Sequence, residues 1–183
     1  MRNVRAQRAT PKLEQVRTPD GDRPPYQQPR HRHSGEIASL QILDSNRIRI
    51  VLPGQPRGKA KKFTTIGGYA RGFNDDPTKA YMKALAWQAK ASFVGQPLTG
   101  PIEMRFQALF KIPKSFSRSR RQDAIDGRLV PTTKPDYDNI AKMIGDALKG
   151  IIWEDDCQIT DGSWRKRYSE APALIVEIRQ IRA

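Results

Sequence analysis

The residues with the clearest chemical potential run from Lys134 to Ile159. They read Lys134-Pro135-Asp136-Tyr137-Asp138-Asn139-Ile140-Ala141-Lys142, then Asp146, then Glu154-Asp155-Asp156-Cys157-Gln158-Ile159. Pro135 disfavours a helical Lys134. In extended chain, Asp136 and Asp138 would leave on the same side, with Tyr137 opposite. Two carboxylates held that way repel one another. Protonation of one relieves the repulsion, and so does a hard divalent cation. Mg2+ takes one or two carboxylates together with waters and phosphate oxygens. Other chemistry has little to draw on. The two histidines, His31 and His33, lie in a polar N-terminal stretch, and Cys157 is the single cysteine. A Cys/His zinc site lacks ligands, and a mechanism built on a core histidine base has no candidate. Taken singly, each acid also has a plain reading. Asp138 suits a helix cap, Asp146 a surface partner of Lys142 or Lys149, and Asp155-Asp156 a turn.

Positioning such acids requires a helix directly after them. Ile140, Met143, Ile144, Ala147 and Leu148 fall on one face at helical spacing, and Gly150 supplies a stop. Asn139, Lys142, Asp146 and Lys149 fall on the other face, so the acids stand at the helix mouth. The apolar run Ile151-Ile152-Trp153 then turns the chain back, which allows Asp155 or Asp156 to approach the first pair. Upstream, Arg47–Leu52 alternates as a half-buried strand, and Ile102–Ile112 places Ile102, Met104, Phe106, Ala108 and Phe110 on one face. Pro77–Val94 reads as a helix capped by Asp76, with Tyr81, Leu85, Ala89, Phe93 and the nearby Trp87 taken as core. Gln158–Tyr168 and Ala173–Ile181 read as strands. Lys114–Arg128 is polar and suits a short helix.

The chain has 183 residues and a formal net charge of +14, enough length for one domain and a tail. Such a charge favours encounter with nucleic acid, although an ordinary basic protein has it too. Met1–Gly35 holds eight Arg or Lys, three acids and five prolines. Residues 1–45 therefore read as a basic, disordered arm before a domain at 46–183. Basic clusters suited to phosphate are Arg57, Lys59, Lys61 and Lys62 in the turn-rich stretch Gly54–Gly68, Arg118, Arg120 and Arg121 further on, and Lys134 at the motif. Each cluster is equally readable as a solvated surface. A bilayer-spanning run and a signal-peptide core are both lacking, which with the single cysteine suggests a reducing, cytoplasmic setting.

The pattern Lys-Pro-Asp-x-Asp-Asn-hydrophobic-x-Lys, then Asp-Ala-Leu, then Asp-Asp-x-Gln-hydrophobic resembles the RusA family of Holliday junction resolvases, found in bacteria and their phages. The resemblance runs from about Arg47 to Ile181, and the arm falls outside it. Ser115-Phe116-Ser117 with Arg118–Arg121 is similar to the basic loop of the phage-type branch. The resemblance implies a small mixed α/β (α+β) domain acting as a homodimer on four-way junction DNA, with no small organic cofactor. It implies metal-binding carboxylates at Asp136, Asp138 and Asp156, a catalytic lysine at Lys142, and Mg2+ as the ion, with Mn2+ able to substitute. Asp155 is a weaker candidate, and Asp146 belongs to a structural element. Rival readings are a non-catalytic basic binding module and a less selective flap or fork nuclease.

Overall fold

The computed structural model describes residues 39–44, 47–59, 61–66 and 69–181, all within the unit Ser34–Ala183. The seven strands are β1 (Ser39–Asp44), β2 (Arg47–Pro53), β3 (Lys61–Ile66), β4 (Tyr69–Asn74), β5 (Ile102–Lys111), β6 (Ile159–Ser169) and β7 (Ala173–Gln180). The three α-helices are α1 (Asp76–Ser92), α2 (Arg118–Ile125) and α3 (Tyr137–Leu148). The expected mixed α+β fold is what the chain adopts. Most of the expected arm lies outside the described residues. Its final part, Ser39–Asp44, is a strand paired antiparallel with β2.

One sheet has the order β1-β2-β7-β5-β6, and β3-β4 forms a separate hairpin. Among the described strands, β5 and β6 are the pair that runs parallel, and the crossover that parallel pairing demands is supplied by α2 and α3. Strand register lines up apolar rows across the sheet. Ile48 faces Ile178, which faces Met104; Ile50 faces Val176, which faces Phe106; Leu52 faces Leu174, which faces Ala108. Every member of these rows is buried. The alternation read in Ile102–Ile112 is therefore the core face of β5. The opposite face carries a smaller cluster of Val51, Leu109, Ala173 and Ile175.

Helix α3 closes the core. Ile140, Met143, Ile144 and Leu148 are fully buried, in one cluster with Leu85 and Ala89 of α1. Two readings of α1 need correction. Its N-cap is Asp75, whose Oδ1 accepts from the Thr78 amide at 3.0 Å, while Asp76 begins the helix and pairs with Lys79. Trp87 is also outside the core, 68% exposed, because it falls off the stripe that Leu85 and Ala89 define. Tyr81 and Phe93 do pack against the core, partly buried.

In the chain after α3, the Gln158 side chain makes four hydrogen bonds to backbone. The Gln158 amide oxygen accepts from the backbone N–H groups of Glu154 and Asp155, both at 2.8 Å, and its nitrogen donates to the carbonyls of Leu98 at 2.9 Å and Gly100 at 3.0 Å. Glutamate at this position keeps both acceptor bonds but loses both donors and sets a charge against two carbonyls. Gln158→Glu is therefore expected to destabilise the fold by about 1–3 kcal/mol, read as a lowered thermal midpoint at neutral pH. An unchanged midpoint would mean that the turn is held by something else.

Candidate active site

Three pieces of chain surround the mouth of α3. The loop Gln55–Lys59 lies directly against it, with the Lys59 amide donating to the Asn139 carbonyl at 2.7 Å. Gly58 permits this approach, since a Cβ there would stand 2.7 Å from Pro135 Cβ and 3.0 Å from Asn139 Cβ. The start of α1 contributes Asp75 and Thr78, and the segment before α3 contributes Lys134, Pro135 and Asp136. Together they enclose an open cleft of about 970 Å³ whose charged lining includes Arg57, Lys59, Lys134, Asp136 and Lys142. Four cations thus line the cleft against two acids, Asp75 and Asp136.

Asp136 occupies the N-cap position of α3, yet its side chain makes no capping hydrogen bond. Its carboxylate therefore remains available to the cleft. Asp138 lies in the first turn of α3, where the N-terminal helix dipole favours negative charge. Lys142 Nζ donates to Asp138 Oδ2 at 3.2 Å, and this bond is the main cause that holds the Asp138 carboxyl below its ordinary range. Asp138 is thus ionised at neutral pH. The two acids do not leave an extended chain on one side, as the alternation suggested. Tyr137 already opens the helix, so Asp136 is the extended N-cap residue while Asp138 lies within the first helical turn.

Asp156 comes back onto the same helix further along. The turn Ile151-Ile152-Trp153 is packed rather than extended, with Ile152 and Trp153 fully buried. Trp153 Nε1 donates to Asp156 Oδ1 at 2.9 Å. The carboxylate lies so close to Gly145 that a Cβ there would stand 2.9 Å from Oδ2. Gly145 is seven residues past Asp138, about two helical turns or roughly 10 Å along the axis. Among the described residues, no three His, Cys, Asp or Glu side chains gather as a metal-binding group. The single chain bonds Asp138 to Lys142, lines the cleft with Asp136 and Lys142, and seats Asp156 against Gly145 further along α3.

The other candidate residues are placed as follows. Asp155 caps a 3-10 turn, Asp156–Gln158, by accepting from the Cys157 amide, and it pairs with Lys149. The Lys149 hydrogen bond, with that amide, pushes the Asp155 carboxyl down to about 2. Cys157 is exposed rather than packed, and its hydrogen bond to Asp155 raises the thiol pKa, so it is poorly suited to nucleophilic work. Asp146 pairs with Lys59, which fastens the loop to α3. In α2, Arg121 pairs with Glu170 at 2.8 Å, Arg120 lies over the Phe116 ring at 4.5 Å, and Arg118 is exposed. Lys61 and Lys62 lie in β3, and their side chains fall outside the described residues.

Lys166 was not singled out from the sequence. Its ammonium donates to the carbonyls of Thr133 and, at 3.1 Å, Pro135, and it lies 5.3 Å from the Phe110 ring centroid. Burial lowers its pKa, opposed by the nearby Asp136 charge. It therefore ties the segment that presents Asp136 down onto β6. The sequence signal was slight, namely that Lys166 shares a strand face with Trp164 and Tyr168. Lys166→Met keeps the stem and removes both bonds. It is expected to reduce DNA cleavage roughly tenfold or more through loss of alignment, with DNA affinity changed much less. An equal loss in both would make Lys166 a phosphate contact instead.

Comparison with known proteins identifies the family. The family model described as Endodeoxyribonuclease RusA matches residues 53–179. A protein of Bacillus subtilis (strain 168), named uncharacterized protein YqaN, is 35% identical over 140 residues, covering 73% of this chain and 92% of its own length. The match takes in the three helices and strands β5 and β6 with most of β7, and on it the chain belongs to the RusA endodeoxyribonuclease family.

Proposed function

We propose that this protein is a divalent-metal-dependent endonuclease that resolves four-way DNA junctions by paired, symmetric cuts as a homodimer. The observation that carries the reading is Asp136 and Lys142 lining a basic cleft with Arg57, Lys59 and Lys134, with Asp138 bonded to Lys142 in the first turns of α3. The donors suit a hard cation such as Mg2+ or Mn2+. Asp136 has an uncommitted carboxylate, Asp138 is ionised, and one or two carboxylates suffice when phosphate and water complete the shell. Asp136 and Asp138 would hold the ion, with Asp156 as a third ligand recruited from its place over Gly145. When bound, such an ion supplies charge neutralisation at a phosphate oxygen and an acidified water.

The protein's own residues do the rest. Lys134 and Arg57 bind the phosphate backbone on either side of Asp136 and set its register. Lys142, steered by Asp138, stabilises negative charge on the attacked phosphate. Lys59, held by Asp146, keeps the loop seated so that the cleft retains its shape. The exposed Arg118, with Arg120, Lys61 and Lys62, extends the contact with DNA.

The test is incubation of the full chain with a synthetic four-way junction, with Mg2+ and with EDTA, beside fork, flap and linear duplex controls. Symmetric nicks in the junction arms, dependent on metal, are expected. Equal cutting of all substrates would replace junction resolution by a less selective nuclease. Binding without nicks in Mg2+ would reduce the protein to a binding module.

A further inference from the structure

Beside the cleft, on the other side of Asp136, two aromatic rings are stacked in the open. Tyr137 and Trp164 lie parallel, with centroids 4.6 Å apart and planes 9° apart. Tyr137 is 50% exposed and Trp164 47%. The sheet explains why Trp164 is there. It pairs with Phe106 and so ends the apolar row Ile50, Val176, Phe106, at the strand with no described neighbour beyond it. The rings line a second, smaller hollow of about 380 Å³ with Pro131, Asp136, Arg165 and Arg167. Core packing consumes only part of either ring, and the rim is cationic.

We propose that the Tyr137–Trp164 stack is a platform for an unpaired nucleobase of the substrate strand. The proposal rests on the nuclease reading, because it needs a phosphodiester at Asp136. Asp136 lines both hollows and Tyr137 is the next residue. A strand whose phosphate is held in the cleft therefore has a neighbouring base within reach of the rings. Aromatic faces bind any base by stacking, and flanking arginines hold the backbone, which is how proteins grip single strands without reading sequence. A branch point is where a duplex most readily yields an unstacked base. A second copy of this chain seated on the same rings is the competing occupant, and the cationic rim favours DNA over an equally basic partner.

The experiment measures binding of the full chain in EDTA, where nothing is cut. The probes are an oligothymidylate about 12 nucleotides long and an abasic strand of equal length and charge. The wild type is expected to prefer the base-bearing strand roughly tenfold. Trp164→Leu keeps apolar bulk and should erase that preference while leaving abasic affinity in place, and Trp164→Phe should retain most of it. Circular dichroism checks the fold of each variant. Equal binding of both strands by the wild type, or a preference that survives Trp164→Leu, would overturn the proposal. So would sedimentation showing that Trp164→Leu dissociates a dimer and leaves the base preference intact. Because junction nicking is assayed separately, in Mg2+, the platform and the nuclease reading can each fail without the other.

Discussion

Asp138→Asn is expected to lower junction cleavage in Mg2+ by on the order of a thousandfold while folding and junction binding persist. The substitution preserves shape, and the amide oxygen can still accept from Lys142. It removes the charge that the Lys142 bond keeps ionised. An ion then finds one fewer anionic ligand, and Lys142 loses the partner that steers it. Binding should change little, because the cations of the cleft outnumber its acids and Asp138 is not among the lining residues. The measurement is single-turnover cleavage beside a gel-shift titration in EDTA. Cleavage within a fewfold of wild type would remove Asp138 from the chemistry, and a parallel collapse of binding would make it a structural cap.

Gly145→Ala separates stability from chemistry more sharply. Gly145 is in the interior of α3, where alanine is favoured over glycine by about 1 kcal/mol. The added methyl, however, would meet the Asp156 carboxylate at 2.9 Å from Oδ2 and 3.3 Å from Oδ1. That side chain can swing aside, but it gives up its bond from the buried Trp153 indole unless it turns about that bond, a loss of about 1 kcal/mol or more that offsets the helix gain. The expected result is a nearly unchanged thermal midpoint with cleavage reduced about a hundredfold, the scale of loss from misplacing a reacting group by an ångström. Full activity in a stabilised Gly145→Ala protein would show that Asp156 is not a ligand. A destabilised one would show that the carboxylate is fixed by the fold and cannot yield.

The parts of the fold that were legible are those whose periodicity reports a single packing surface. The i, i+3, i+4 series in α3 and the alternation in β5 each face one core, and both are where the pattern put them. The hairpin β3–β4 was missed because Lys61–Asn74 is basic and glycine-containing, without the apolar alternation that marks a half-buried strand. Strand β1 was missed because it was absorbed into a polar tail, although register on β2 orders it. At the site, residue types pointed to the acids and to Lys142, but not to their geometry. The decisive local fact is that the helix begins at Tyr137, which makes Asp136 its N-cap and puts Asp138 inside the first turn instead of leaving both on one extended strand. The placement of Asp156 depends on a side-chain contact with Gly145, and glycine at a helical position carries no sequence signal of what rests on it. Lys166 and Trp164 were unreadable for a similar reason, since their importance comes from parallel pairing with β5.

Strand β6 also bears on how the protein behaves in solution. It is an eleven-residue border strand with no described strand on its far side, and its backbone groups there are a template for unwanted pairing. Asp161, Arg165, Lys166 and Arg167 place ionic side chains along that border, the kind of residue that keeps such ladders from joining. Neutral substitutions along it trade away colloidal protection as well as any role in binding. Light scattering thus belongs beside every activity measurement on variants of this strand.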